Sequence, residues 1–109
     1  MIKKHNDAAR KKTSKKAGET QYLRLYVTGG APHSLRAIEN TKRMCEAHLQ
    51  GRYDLEVIDL YQQPELAKDE QLIAVPTLIK YHPLPVKRFV GDMTRTMHIL
   101  KELGVSLEI

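Results

Sequence analysis

The chain has 109 residues, 41% of them hydrophobic, a single cysteine and a formal net charge of +5. That length allows about one domain with one core, and the apolar share is too large for wholesale disorder. No run approaches the ~20 apolar residues of a membrane-spanning helix, no apolar stretch follows the early lysines as a signal peptide requires, and Cys45 has no second cysteine for an intrachain disulfide; the expected location is the cytoplasm.

The positive charge is concentrated at one end. Residues 1–20 hold seven basic residues (Lys3, Lys4, Arg10, Lys11, Lys12, Lys15 and Lys16) against Asp7 and Glu19, and the remainder balances eleven basic residues against eleven acidic ones. Without a hydrophobic period, this stretch reads as a basic flexible leader before a domain spanning 21–109. As a nucleic-acid arm it would contact mostly phosphate, with strong salt dependence. The charge-balanced remainder adds no support for that reading, so nucleic acid is not the expected partner.

Residues 22–28 place Leu23, Leu25 and Val27 at period two, the pattern of a strand with one face on a core. Gly29-Gly30 ends it. Pro32 suits a first helical turn, where a missing N–H costs nothing, and Ser34 is the competing start as an N-cap. Over 35–50 the period becomes helical, with Leu35, Ile38, Cys45 and Leu49 on one side and Gly51 as the stop. Residues 53–60 alternate again, and the apolar Ile58 and Leu60 opposite Leu55 and Val57 predict burial on both faces. Strand, helix and strand in this order predict a crossover with a parallel pair.

Residues 64–72 read as a short helix with Leu66, Ala67 and Leu72 inward. The apolar stretch 73–81 is interrupted by Pro76, which must stand at a strand's start because proline inside a central strand removes a ladder hydrogen bond. Pro83 and Pro85 punctuate a turn, 86–90 is a short strand, Gly91-Asp92 turns the chain, and 94–103 is a final helix with Met97, Leu100 and Leu103 at helical spacing. The order β-α-β-α-β-β-α is that of a thioredoxin-like α/β domain.

The chemistry of that fold is missing from these residues. Its two reactive cysteines flank a Gly-Pro pair at the start of the first helix, where the helix dipole lowers a thiol pKa. If Pro32 takes that proline's place, the cysteine positions are Gly30 and His33, and neither exchanges a disulfide. Cys45 falls on the apolar helix face and reads as a packing residue. His5, His33, His48, His82 and His98 lack the spacing of a zinc motif. Ser14, Ser34 and Ser106 carry no strained-turn signature of a nucleophile, and Gly29-Gly30 without a following lysine is no P-loop. The expectation is a protein without catalytic residues, metal or cofactor. At Val75-Pro76-Thr77-Leu78, thioredoxin-like domains place a cis proline.

Several segments together carry a more specific resemblance. They are Leu23-Arg24-Leu25-Tyr26-Val27-Thr28-Gly29, Pro32-His33-Ser34-Leu35-Arg36-Ala37, the run from Gln50-Gly51-Arg52-Tyr53 through Val57-Ile58-Asp59-Leu60, Pro64-Glu65-Leu66-Ala67, and Ala74-Val75-Pro76-Thr77-Leu78-Ile79-Lys80. The most distinctive is Pro83-Leu84-Pro85-Val86-Lys87-Arg88-Phe89-Val90-Gly91-Asp92. In order and spacing, over roughly residues 21–95, the chain resembles the circadian clock protein KaiB family.

That resemblance implies a non-enzymatic regulator that binds a KaiC-type ATPase and modulates its phosphorylation or activity, in a clock-like or stress-response pathway. It also implies a metamorphic chain, in which a thioredoxin-like form coexists with an alternative C-terminal half in a KaiB-type tetrameric ground state; two packings of one sequence coexist when they differ by a few kcal/mol. Self-association to a dimer or tetramer is expected, as is a histidine kinase competing for the ATPase. The implied partner-binding residues are Arg36, Lys80, Lys87 and Arg88. Pro76, Pro83, Pro85, Gly91 and Asp92 are the fold-switch and cis-proline candidates. Glu56 stands where the family commonly has lysine, and Glu102 and Gly104 stand where it tends to have Gly and Asp. The alternative readings are a KaiB-like sensor module acting with a histidine kinase and a thioredoxin-like redox protein, the latter opposed by the empty cysteine positions.

Overall fold

The computed structural model of the chain describes residues 20–72 and 75–105. The leader up to residue 19, the apolar pair at 73–74 and residues 106–109 lie outside the described residues. The elements follow the expected order: β1 (Gln21–Val27), α1 (Pro32–His48), β2 (Tyr53–Asp59), α2 (Glu65–Asp69), β3 (Thr77–His82), β4 (Lys87–Val90) and α3 (Thr96–Glu102). They build one four-stranded sheet in the order β2-β1-β3-β4. β1 and β2 run parallel, as a strand–helix–strand crossover requires, whereas β3 is antiparallel to both β1 and β4.

The strand period of two divides the core between the two faces of this sheet. Leu23, Leu25 and Val27 of β1 and Leu78 of β3 pack with Ala37, Met44, Cys45 and Leu49 around α1 and with Ile99, Leu100 and Leu103 of the α3 segment. On the other face Tyr26, Ile58, Leu60 and Ile79 form a second cluster, closed by Leu66, Ala67 and Leu72 from the α2 segment. β1 is therefore covered on both faces, and Tyr26 is fully buried.

Several expectations are corrected here. Pro32 opens α1 with Ala31 as its N-cap, so Ser34 is not the cap. Ser34 is instead buried, and its Oγ accepts a hydrogen bond from the Thr28 N–H at 3.1 Å. The buried face of α1 is Ser34, Ala37, Thr41, Met44 and Cys45, a row dominated by small side chains. Leu35 belongs to the opposite side and is 55% exposed. In α3 the packed residues are Ile99 and Leu100, with Met97 turned outward at 58% exposure. Ile58 is buried as expected, but Val57 is 37% exposed, in a strand at the edge of the described sheet with β1 on one side only.

The β1–α1 loop is held by Asp59. Its Oδ1 accepts hydrogen bonds from the Gly29 N–H at 3.0 Å and the Tyr61 N–H at 2.9 Å. Gly29 has φ +52, and a Cβ there would lie 2.9 Å from Tyr61 Cδ2. A side chain is disfavoured at such a φ even without the contact. Gly29→Ala is expected to destabilise the domain by about 1 kcal/mol or more, read as a lower urea midpoint with an unchanged slope. A variant as stable as the wild type would show that this loop tolerates a Cβ.

Candidate docking surface

β4 carries the two adjacent basic residues singled out above, and its alternation sends them to opposite faces of the sheet. Lys87 Nζ donates to Glu102 Oε1 of α3 at 3.1 Å. Arg88 Nη2 donates to the Glu70 backbone oxygen beyond α2 at 2.9 Å and lies 3.9 Å from that residue's Oε1. Arg36 projects from α1 toward the turn after β4, with Nε 3.5 Å from Asp92 Oδ2 and Nη2 3.1 Å from His33 Nδ1. The same turn is tied to α1 by Asn40, whose Nδ2 donates to the Asp92 backbone oxygen at 2.9 Å.

Two of these carboxylates, Asp92 and Glu102, are held in their charged form. Hydrogen bonding with the Thr94 side chain, and then Arg36, lowers the Asp92 pKa below its ordinary value. The hydrogen bond from Lys87 does the same for Glu102. Lys80 differs from the other three basic residues. It stands on the central strand β3 and is only 3% exposed, so it offers a partner no surface in this conformation.

Pro76, Pro83, Pro85, Gly91 and Asp92 bracket the β3–β4 hairpin. Pro76 immediately precedes β3 and its carbonyl accepts the Gly91 N–H at 3.0 Å. Pro83 and Pro85 lie in the hairpin connection, and the peptide bonds before all three prolines are cis. Beside the hairpin lies a hollow of about 250 Å³ lined by the 88–95 stretch together with His98 and Ile99. The sequence reading weighed His98 only as a metal ligand and passed over Arg95; both line this hollow.

A second polar cluster occupies the α2 side of the sheet. Arg24 Nε donates to Glu56 Oε1 at 3.1 Å, and its Nη1 donates to the Tyr26 hydroxyl at 3.2 Å. The Tyr26 and Tyr81 hydroxyls are 2.7 Å apart, and the Arg24 guanidinium lies 5.7 Å from the Tyr81 ring centroid. Burial first, and then the hydrogen bond with Tyr26, raises the Tyr81 pKa far above that of an ordinary phenol, so Tyr81 is neutral at physiological pH. Glu56 is therefore matched within the chain by Arg24.

Among the described residues, no group of three or more His, Cys, Asp or Glu is placed to hold a metal, and no helix is long and apolar enough to cross a membrane. Cys45 is fully buried, and burial pushes its thiol up to about 12. Folding thus favours the protonated thiol. Its contribution to stability is complete below the unfolded value near ~8.5 and is lost as pH climbs toward the folded one. A disulfide-exchange reagent at pH 8 is expected to leave native Cys45 unlabelled over an hour and to label it fully in guanidinium. Rapid stoichiometric labelling of the native protein would contradict a packing role.

Comparison with known proteins converges on one family. The KaiB domain matches residues 24–105. The circadian clock oscillator protein KaiB of Synechococcus elongatus is 43% identical over 89 residues, covering 82% of this chain and 85% of that protein. The KaiB of a Nostoc species is 40% identical over 93 residues, covering 85% and 86%. Among solved structures, the N-terminal domain of Synechococcus elongatus SasA superimposes with a TM-score of 0.65 at 22% identity, covering 84% of this chain and 90% of that one. Chloroplastic thioredoxin z gives 0.65 at 16%, covering 88% of each. At those identities the structural likenesses establish the thioredoxin-like fold alone. Residues 24–105 run from within β1 to just past α3, so the family match fills the described domain: the chain belongs to the KaiB family.

Proposed function

We propose that this chain is a non-catalytic regulator that docks on a KaiC-type ATPase and modulates its phosphorylation or activity, in a clock-like or stress-response pathway. Membership of the KaiB family across the whole described domain carries this reading, and the placement of Arg36, Lys87 and Arg88 supports it. Each of these cations is part-exposed and faced by a carboxylate of the same chain. Such surface pairs contribute only ~0–1 kcal/mol, so exchanging them for the carboxylates of an acidic partner face costs little. The exchange would supply orientation and a faster encounter.

The accompanying change of form, from a dimer or tetramer with another C-terminal half to the thioredoxin-like monomer, would act on the β3–β4 hairpin that Pro76, Pro83, Pro85, Gly91 and Asp92 bracket. A ligand shifts such an equilibrium only by its differential affinity for the two forms. A histidine kinase presenting the same fold would compete for the ATPase.

The test is co-elution of the full chain with a purified KaiC-type ATPase, in ATP and in ADP, sampled over hours. A complex that grows with time and weakens with added salt is expected. No association in either nucleotide state would overturn the docking reading.

A further inference from the structure

We propose that the polar chain Glu56–Arg24–Tyr26–Tyr81, with the Glu70–Arg88 pair beside it, is a lock that holds the C-terminal half of the domain in the thioredoxin-like arrangement. Its members visit the strands in their order across the sheet. Glu56 stands on β2, Arg24 and Tyr26 on β1, Tyr81 on β3 and Arg88 on β4, with Glu70 at the end of α2 between the last two. The register makes this row possible. Arg24 lies opposite both Glu56 and Ile79, and Ile79 lies opposite Arg88.

The links are unequal in what they depend on. Arg24 to Glu56 and Arg24 to Tyr26 lie within the β1–β2 pair and survive any rearrangement beyond it. Passage to the C-terminal half runs through Tyr81. Its hydroxyl meets Tyr26 at 2.7 Å and its ring lies 5.7 Å from the Arg24 guanidinium, with Glu70 near enough to help raise its pKa. Glu70 then takes the Arg88 guanidinium on its backbone oxygen at 2.9 Å.

Tyr26 is fully buried beside Ile58, Leu60 and Ile79. If β3 leaves β1, the Tyr26 hydroxyl loses a partner inside an apolar cluster, and Arg24 loses the ring beneath it. The hydroxyl keeps its Arg24 donor, so what is lost is one of its two hydrogen bonds together with the ring contact. The chain therefore opposes any packing that separates β3 from β1 while leaving β1–β2 intact. If the docking reading holds, the lock also sets the share of molecules competent to dock.

Amide hydrogen exchange on the full chain tests the lock without any partner. Tyr81→Phe removes one oxygen, the one that crosses from β3 to β1. It is expected to speed exchange of β3 and β4 amides about ten-fold, while α1 amides change by less than about three-fold, the signature of a local opening. Glu56→Gln, which leaves the crossing link in place, is expected to keep β3 and β4 within about three-fold of the wild type. Tyr26→Phe removes the other hydroxyl of that link and is expected to repeat the Tyr81→Phe pattern, so the test survives if one variant fails to fold. Uniform acceleration across all elements, or none, would overturn the lock.

Association with the KaiC-type ATPase is measured in parallel. If the wild type binds and a selectively opened Tyr81→Phe binds equally well, the lock does not set docking competence. If the wild type does not bind, the docking reading fails and the exchange pattern alone decides the lock.

Discussion

Leu25→Ala is expected to destabilise the domain by about 3 kcal/mol, within the ~2–5 kcal/mol range of buried leucine truncations. Leu25 has no exposed surface. It sits on β1 opposite Val57 of β2 and Leu78 of β3, in the cluster that α1 and α3 close. No flanking loop can collapse into the space it vacates, so the lost transfer energy and the cavity both count. Against a total of ~5–15 kcal/mol for a typical domain, the loss is a large fraction of the whole. Urea unfolding should show a lower midpoint with an unchanged slope. Leu35→Ala is the contrast. Leu35 is exposed on α1, and its truncation should stay within about 0.5 kcal/mol. If the two variants cost the same, the packed face of α1 has been assigned wrongly.

Neutralising both β4 cations, as Lys87→Gln with Arg88→Gln, should weaken association with a KaiC-type ATPase by about ten-fold or more. The salt dependence of binding should also flatten, since fewer charge pairs form across the interface. The fold should survive. Both cations are part-exposed and paired with surface carboxylates, so the cost in stability is at most about 1 kcal/mol. Titration of the ATPase, with a thermal melt of the variant alongside, checks both halves of the expectation. Undiminished affinity in a correctly folded double variant would remove β4 from the docking face.

Much of the architecture was legible along the chain because its signals are local. Leu23, Leu25 and Val27 at period two marked the central strand, and Pro32 marked the start of α1 within one residue of its Ala31 cap. The helical row of α1 was read in part: Cys45 and Leu49 are buried and Ile38 packs against the core, but Ser34 and Thr41, which a hydrophobicity pattern passes over, complete the packed face and Leu35 lies outside it. Met97 misled in the same way at α3, where Ile99 and Leu100 make the contact. A large apolar side chain on a helix is not by itself evidence of burial, because the row turned toward the sheet decides what packs.

The candidate surface divides similarly. Lys87 and Arg88 were visible as a basic pair, but their acids, Glu102 and Glu70, are fifteen and eighteen residues away. Lys80 reads like any surface lysine, yet a central strand encloses it. Tyr26 reads as the polar-face residue of a half-exposed strand and is instead wholly buried, because α2 covers the second face of the sheet.

Residue order alone settled the succession of elements, the resemblance to one family, the inward face of β1 and the loss of dithiol chemistry, since each depends on residue type, spacing or a cysteine that is not there. Folding decided which helix faces pack, which cations are exposed and which carboxylates meet them, and that Arg24, Tyr26 and Tyr81 join across the sheet. Those outcomes depend on strand order and register, which bring together residues far apart in sequence, and no local period encodes such meetings.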